Sequence, residues 1–157
     1  MKMCGINGIV RFNGKLDEEE IRAMNEKIAH RGPDDEGVYV SGNVGLGHRR
    51  LSIIDLSPSG HQPMFYGDDL VIVFNGEIYN YREIRQELEK KGYSFSSNSD
   101  TEVILAAYRA WGASCLERFR GMFAFVIYDA AKGRLFGARD RFGKKPLKYY
   151  IDRDQFV

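Results

Sequence analysis

The run Leu70-Val71-Ile72-Val73-Phe74 contains no polar residue. A strand of that composition has no face to give to water, so it is buried, with other elements packed on it. It stops at Asn75-Gly76-Glu77. Asn-Gly commonly turns a hairpin, but no matching strand follows. Instead Asn80, with Glu83 three residues on and Ile84 and Leu88 at helical spacing, opens a helix. The sequence therefore predicts a strand-to-helix corner at Asn75-Gly76. A corner of this kind leaves backbone N–H groups and a side-chain amide at the end of a sheet, a setting suited to an oxyanion.

Around this run the chain reads as strands and three helices. Glycine numbers 17 and proline 4, a balance that favours tight turns and bulges in a strand-rich chain. Residues 5–12 read as a strand and Asn13-Gly14 as a turn. Asp17 and Glu20 form a capping box for a first helix, with Glu18, Glu19 and Glu20 at its positive end and Ile21, Met24 and Ile28 on its apolar face. Residues 30–37 read as a polar loop whose carboxylates match no calcium-loop spacing. Strands are expected at 38–40 and 44–51. Arg49 and Arg50 point to opposite faces of the second, so one of them faces inward, toward an anion. Gly92 ends the second helix, and Tyr93 and Phe95 mark a short strand. A third helix carries Val103, Ile104, Ala107, Tyr108 and Trp111, with Asp100 as a natural N-cap. Residues 122–128 and 134–138 form a hairpin, and 147–151 a last strand. Seven or more strands with three helices predict an α+β chain of layered sheets with helices packed outside.

Several functional classes are disfavoured. The 157 residues suit one domain with a real core. Lys plus Arg total 23 and Asp plus Glu 22, so charge gives no pull toward nucleic acid or a membrane. No apolar run approaches the ~20 residues of a membrane span, and the start lacks a signal peptide's apolar core. Cys4 and Cys115 lie far apart with no C-x-x-C pair, which indicates neither a metal site nor a disulfide framework and suits the cytoplasm. Gly42, Gly45 and Gly47 form no dinucleotide fingerprint, since no helix follows.

Cys4 stands almost at the start and feeds directly into the first strand. With the residues before it removed, it would carry a thiol of pKa ~8.5 and an α-amine of pKa ~8. A nucleophile and its base would then share one residue. From position alone, a cysteine packed as a small apolar side chain is an equal alternative.

Eight motifs in order break that tie. They are Cys4-Gly5-Ile6, His30-Arg31-Gly32-Pro33-Asp34, Arg50-Leu51-Ser52-Ile53-Ile54-Asp55, Gln62-Pro63-Met64, Asn75-Gly76-Glu77-Ile78-Tyr79-Asn80, Ser99-Asp100-Thr101-Glu102, Gly121-Met122-Phe123-Ala124-Phe125 and Asp140-Arg141-Phe142-Gly143. Over nearly its whole length the chain resembles the glutaminase domain of glutamine-hydrolysing asparagine synthetases, which are class II glutamine amidotransferases. The resemblance implies the N-terminal-nucleophile hydrolase fold, two stacked antiparallel sheets between helical layers. It implies Cys4 as nucleophile toward the glutamine side-chain amide, with its own α-amine as base, and Asn75 and Gly76 as the oxyanion hole. Arg50 would clamp the substrate carboxylate, Asp100 the substrate ammonium with Glu77 in support, and Leu51, Ser52, Ile53 and Ile54 would line the site. The partners implied are L-glutamine, a synthetase domain of the same full-length chain, and a possible homodimer. No cofactor is expected in this domain; ATP and Mg belong to the synthetase domain, which residues 1–157 lack, so the chain reads as a C-terminally truncated fragment.

Two departures bear on activity. In the family the cysteine directly follows the initiator methionine, whereas here Met1-Lys2 precede Met3-Cys4, and with them retained the Cys4 nitrogen is an amide and no base. Lys148 stands where relatives usually have tyrosine. Two other readings stay open: the glutaminase half of another amidotransferase, serving amino-sugar or nucleotide-precursor synthesis, and a non-catalytic interaction module.

Overall fold

The computed structural model describes residues 4–51 and 60–157. Its first sheet contains β1 (Gly5–Arg11), β2 (Asp35–Ser41), β3 (Val44–Arg50) and β8 (Gln155–Phe156) in the order β2-β3-β1-β8. The second contains β4 (Met64–Tyr66), β5 (Leu70–Ile78), β6 (Gly121–Asp129) and β7 (Arg134–Arg139) in sequence order. Every strand pair is antiparallel. Helix α1 (Glu18–Lys27) packs outside the first sheet, and α2 (Tyr81–Lys90) and α3 (Asp100–Trp111) outside the second. The expected α+β sandwich of helix, two sheets and helices is therefore the fold.

Alternation along each strand sorts the side chains into three cores. On β1 and β3, Ile6 and Leu46 face the second sheet, where they meet Val71, Val73, Val126 and Tyr128. Ile9 faces α1 and meets Ile21 and Met24. On β5 and β6 the opposite faces, Leu70, Ile72, Phe74, Phe123, Phe125 and Ile127, pack against α2 and α3. The glycines on the outer face of β3 let α1 lie close: a Cβ at Gly45 would overlap Ile21, and one at Gly47 would overlap Asn25 and Asn7.

Helix α1 starts as its sequence predicts. Asp17 accepts from the Glu20 N–H at 3.1 Å, and Glu20 reaches back to the Asp17 N–H.

Several expectations are corrected. β5 does not stop at Phe74 but runs on through Asn75-Gly76-Glu77, because β6 supplies a partner along its whole length, Asn75 opposite Ala124 and Ile78 opposite Gly121. The Asn-Gly turn signal assumes that its flanking segments pair with each other; here a distant strand outcompetes that pairing. Asp35-Glu36-Gly37 belongs to β2 and not to a loop, since Arg49 and Arg22 neutralise Glu36 and His61 pairs with Asp35. Tyr93 and Phe95 form no strand; both pack against the α2–α3 core. Residues 147–151 form only an isolated bridge, Ile151 to Phe156, while the chain's end supplies β8 beside β1. Lys148 is exposed in that segment.

Candidate active site

The alternation that turns Ile6 and Leu46 inward also sets the site. Cys4 precedes Ile6 by two residues and lies on the same face; Arg50 follows His48 by two and does likewise. The β1–β3 register pairs Gly5 with Arg49, so the next step brings Cys4 opposite Arg50. The Leu51 N–H donates to Cys4 Sγ at 3.4 Å, and the thiol lies 3.9 Å from the Leu51 carbonyl. Arg31 Nε donates to the Cys4 carbonyl at 3.3 Å, and the buried Arg31 Nη2 has no partner among the described residues. Arg50 aims its guanidinium at Gly60, where a Cβ would overlap it. Ser52, Ile53 and Ile54 lie outside the described residues, as do Met1, Lys2 and Met3.

The second sheet brings Asn75 and Glu77 to the same interface, on the inward face with Val71 and Val73. Asn75 is 4 % exposed and Glu77 is exposed. One direct link fixes the overlap of the sheets: His48 Nε2 on β3 donates to the Phe74 carbonyl on β5 at 3.2 Å. The residue after Phe74 is Asn75, and the inward residue after His48 is Arg50, the cross-strand neighbour of Cys4.

Gly76 is where hydrogen-bond alternation matters most. Successive residues of a strand turn their N–H and C=O to opposite edges. The Phe74 and Ile78 N–H groups face the β4 edge, donating to Gln62 Oε1 at 2.6 Å and Asp100 Oδ2 at 2.9 Å. Gly76 lies between them and turns the same way. Its opposite number, Phe123, uses both backbone groups elsewhere, its N–H on Asp140 Oδ2 and its carbonyl on the Asp140 N–H. The Gly76 N–H thus projects from the sheet beyond the end of β4. The projecting N–H expected of a corner lies instead on a strand edge. Glycine is required here because a Cβ would fall on the Met122 carbonyl oxygen.

Asp100 is not the cap of α3. Ser99 is, its Oγ accepting from the Thr101 N–H at 3.1 Å. The Asp100 carboxylate is left for Ile78 and for the site. Burial pushes its pKa up to about 6, and the negative Glu77 adds to this, against the pull of the Ile78 and Thr101 N–H groups.

Residues whose roles the sequence did not assign complete the shell. The Asp140 carboxylate gathers the N–H groups of Phe123, Phe142, Lys144 and Lys145, and so ties the turn after β7 to β6. That turn delivers Lys145, 6 % exposed. Burial lowers its pKa, opposed by attraction to the Cys4 sulfur and Asp140. His48 is 1 % exposed, and burial lowers its pKa to about 4, so the ring is neutral. The motif containing Asp140 was legible, but the atoms it would hold were not, and Lys145 and His48 lie outside the ordered motifs. A cleft of about 350 Å³ lined by Val38, Pro63, Met64 and Phe65 lies apart from these groups, and Glu102 beside it is fully engaged by Ser96 and Ser97. Among the described residues, no three His, Cys, Asp or Glu side chains gather, and no helix is long and apolar enough to cross a membrane.

A family model of glutamine amidotransferase domains matches residues 3–157. The chain is 51% identical to asparagine synthetase [glutamine-hydrolyzing] 1 of Bacillus subtilis, over 98% of this chain and 25% of that protein. It is 47% identical to putative asparagine synthetase [glutamine-hydrolyzing] 2 of Methanocaldococcus jannaschii, over 99% of this chain and 33% of that one. It thus spans a quarter to a third of these relatives' length. Among solved structures, the glutamine phosphoribosylpyrophosphate amidotransferase of B. subtilis superposes with a TM-score of 0.80 at 21% identity, over 98% of this chain and 41% of that one. That likeness establishes the N-terminal-nucleophile amidotransferase fold.

Proposed function

The chain belongs to the glutamine amidotransferase domain family, and from that premise we propose that it hydrolyses the side-chain amide of glutamine through a thioester on Cys4. The observation that carries this reading is the sulfur's setting. It lies inward at the open end of β1, with the Leu51 N–H on it and Arg50 beside it.

In this reading the Cys4 α-amine takes the thiol proton and the sulfur attacks the amide carbon. The carbonyl oxygen becomes an oxyanion held by the Asn75 amide and the Gly76 N–H. The protonated amine then gives its proton to the departing nitrogen, and ammonia leaves. Water cleaves the thioester to glutamate. Arg50 holds the substrate carboxylate through two donors, and Asp100, backed by Glu77, holds the ammonium. Leu51 and the following Ser52, Ile53 and Ile54 line the substrate. The ammonia serves ATP-dependent synthesis of asparagine from aspartate, with ATP and Mg held by a synthetase domain in the longer protein.

The test is glutamate release by Cys4→Ala beside the parent, on protein whose intact mass shows Cys4 as first residue. Activity in the parent and none in the variant is expected. Equal rates would overturn the nucleophile.

A further inference from the structure

β5 has a gap on one edge beside the reacting centre. β4 covers it only as far as the Met64–Ile72 pair. Continuing that register places Gln62 opposite Phe74, but the backbone ladder does not continue. The Gln62 side chain supplies the acceptor for the Phe74 N–H at 2.6 Å, and His48 supplies the donor for the Phe74 carbonyl at 3.2 Å. Both side chains are buried, 7 % and 1 % exposed. Because a carbonyl only accepts, the His48 proton sits on Nε2; Nδ1 is bare, buried and unpartnered among the described residues. The next residue on the same edge is Gly76, and the one after is held by Asp100.

We propose that His48 and Gln62 are positioning residues for the oxyanion donors. They stand in for the strand that β4 fails to extend, hold the peptide planes on the two sides of Phe74, Gln62 through its N–H and His48 through its carbonyl, and so aim the Asn75 side chain and the Gly76 N–H. The inference rests on the glutaminase reading and deepens it. Neither residue touches the substrate. Among the described residues, His48 holds the peptide plane leading into Asn75 on this edge, and Gln62 holds the plane before it. A displacement of about 1 Å in a catalytic donor costs up to ~10²-fold in rate, and complete loss of one donor ~10²–10³-fold.

The experiment uses the full chain with Cys4 as its first residue. Gln62→Met removes the acceptor at similar volume, and Gln62→Glu keeps one. His48→Leu removes the donor, and His48→Gln keeps one. Glutamine hydrolysis is measured together with inhibition by glutamate γ-semialdehyde, whose adduct with the Cys4 thiol carries the oxyanion. Gln62→Met and His48→Leu are expected to lose roughly 10–100-fold in kcat and a similar factor in aldehyde affinity. KM for glutamine and the rate of Cys4 alkylation by iodoacetamide should stay within about twofold, and the two conservative variants should recover most of the loss. Unchanged kcat and aldehyde affinity in variants that fold would overturn the proposal. So would losses in kcat, KM, alkylation and Tm that move together, which would mark a purely structural role. A parent without Cys4-dependent hydrolysis would instead overturn the glutaminase reading itself.

Discussion

Asp100 shows how one side chain can be set by two demands. As the first residue of α3, with Ser99 capping, it is free to accept from Ile78 on β5. Burial and Glu77 hold its pKa at about 6, above the ordinary aspartate range. The folded state therefore binds this proton more tightly than the unfolded state, and stability contributed by the group falls as pH rises from about 4 to about 6. In the proposed reading the substrate ammonium needs the ionised form, so kcat/KM for glutamine should fall as pH drops through about 6. Asp100→Asn keeps an acceptor for Ile78 but loses the charge. At pH 7.5 it should match or exceed the parent's Tm while KM rises by ~10–100-fold, the loss expected for a charge-assisted hydrogen bond. An acid limb that survives in Asp100→Asn would assign the titration elsewhere. The two cysteines differ in the same terms. Cys115 is wholly buried and burial pushes it up to about 12. Iodoacetamide at pH 7.5 should therefore modify Cys4 and leave Cys115 untouched, which peptide mass mapping reads directly.

At the scale of elements, β5 and β6 cross so closely at the site that side chains are excluded. A Cβ on Gly121 would fall on the Glu77 carbonyl and the Ile78 Cα. Gly121→Ala should push these strands apart, with a stability loss of about 1–3 kcal/mol and a lower kcat, since Gly76 lies two residues from Ile78. A variant with parental Tm and kcat would show that the crossing has slack. Signals confined to one element were legible in the sequence. The Asp17 capping box, the buried run 70–74 and the hairpin of β6 and β7 all appear where their residues predict. Asn75-Gly76 misled because a turn signal is local, whereas its partners on β6, Ala124 and Phe123, lie 49 and 47 residues along the chain. Asp100 misled because Ser99 and Asp100 are both good caps, and only the nearby Ile78 N–H selects which one caps.

At the scale of the molecule, the two sheets meet through a narrow apolar strip of Leu46, Val71, Val73 and their neighbours. Leu46 is 1 % exposed at its centre. Leu46→Ala should cost about 2–5 kcal/mol, visible as a lower denaturant midpoint with an unchanged slope. Because the strip adjoins His48 and hence Phe74, partial separation of the sheets should abolish glutaminase activity before global unfolding; an activity loss coincident with the unfolding transition would refute this.

By itself, the sequence determined the composition of each layer. Apolar runs marked β1 and β5 as buried, helical spacing gave the inner faces of α1 and α3, and the ordered motifs named Cys4, Arg50, Asn75, Gly76 and Asp100 as a set. Tertiary structure decided how that set is held: that Gly76 offers its N–H from a strand edge, that Asp100 joins α3 to β5, and that His48 and Gln62 close the gap beyond β4. The reason is physical. Burial patterns are written into neighbouring residues along one element, but a hydrogen bond between two elements depends on their register and stacking, which arise only when the sheets pack.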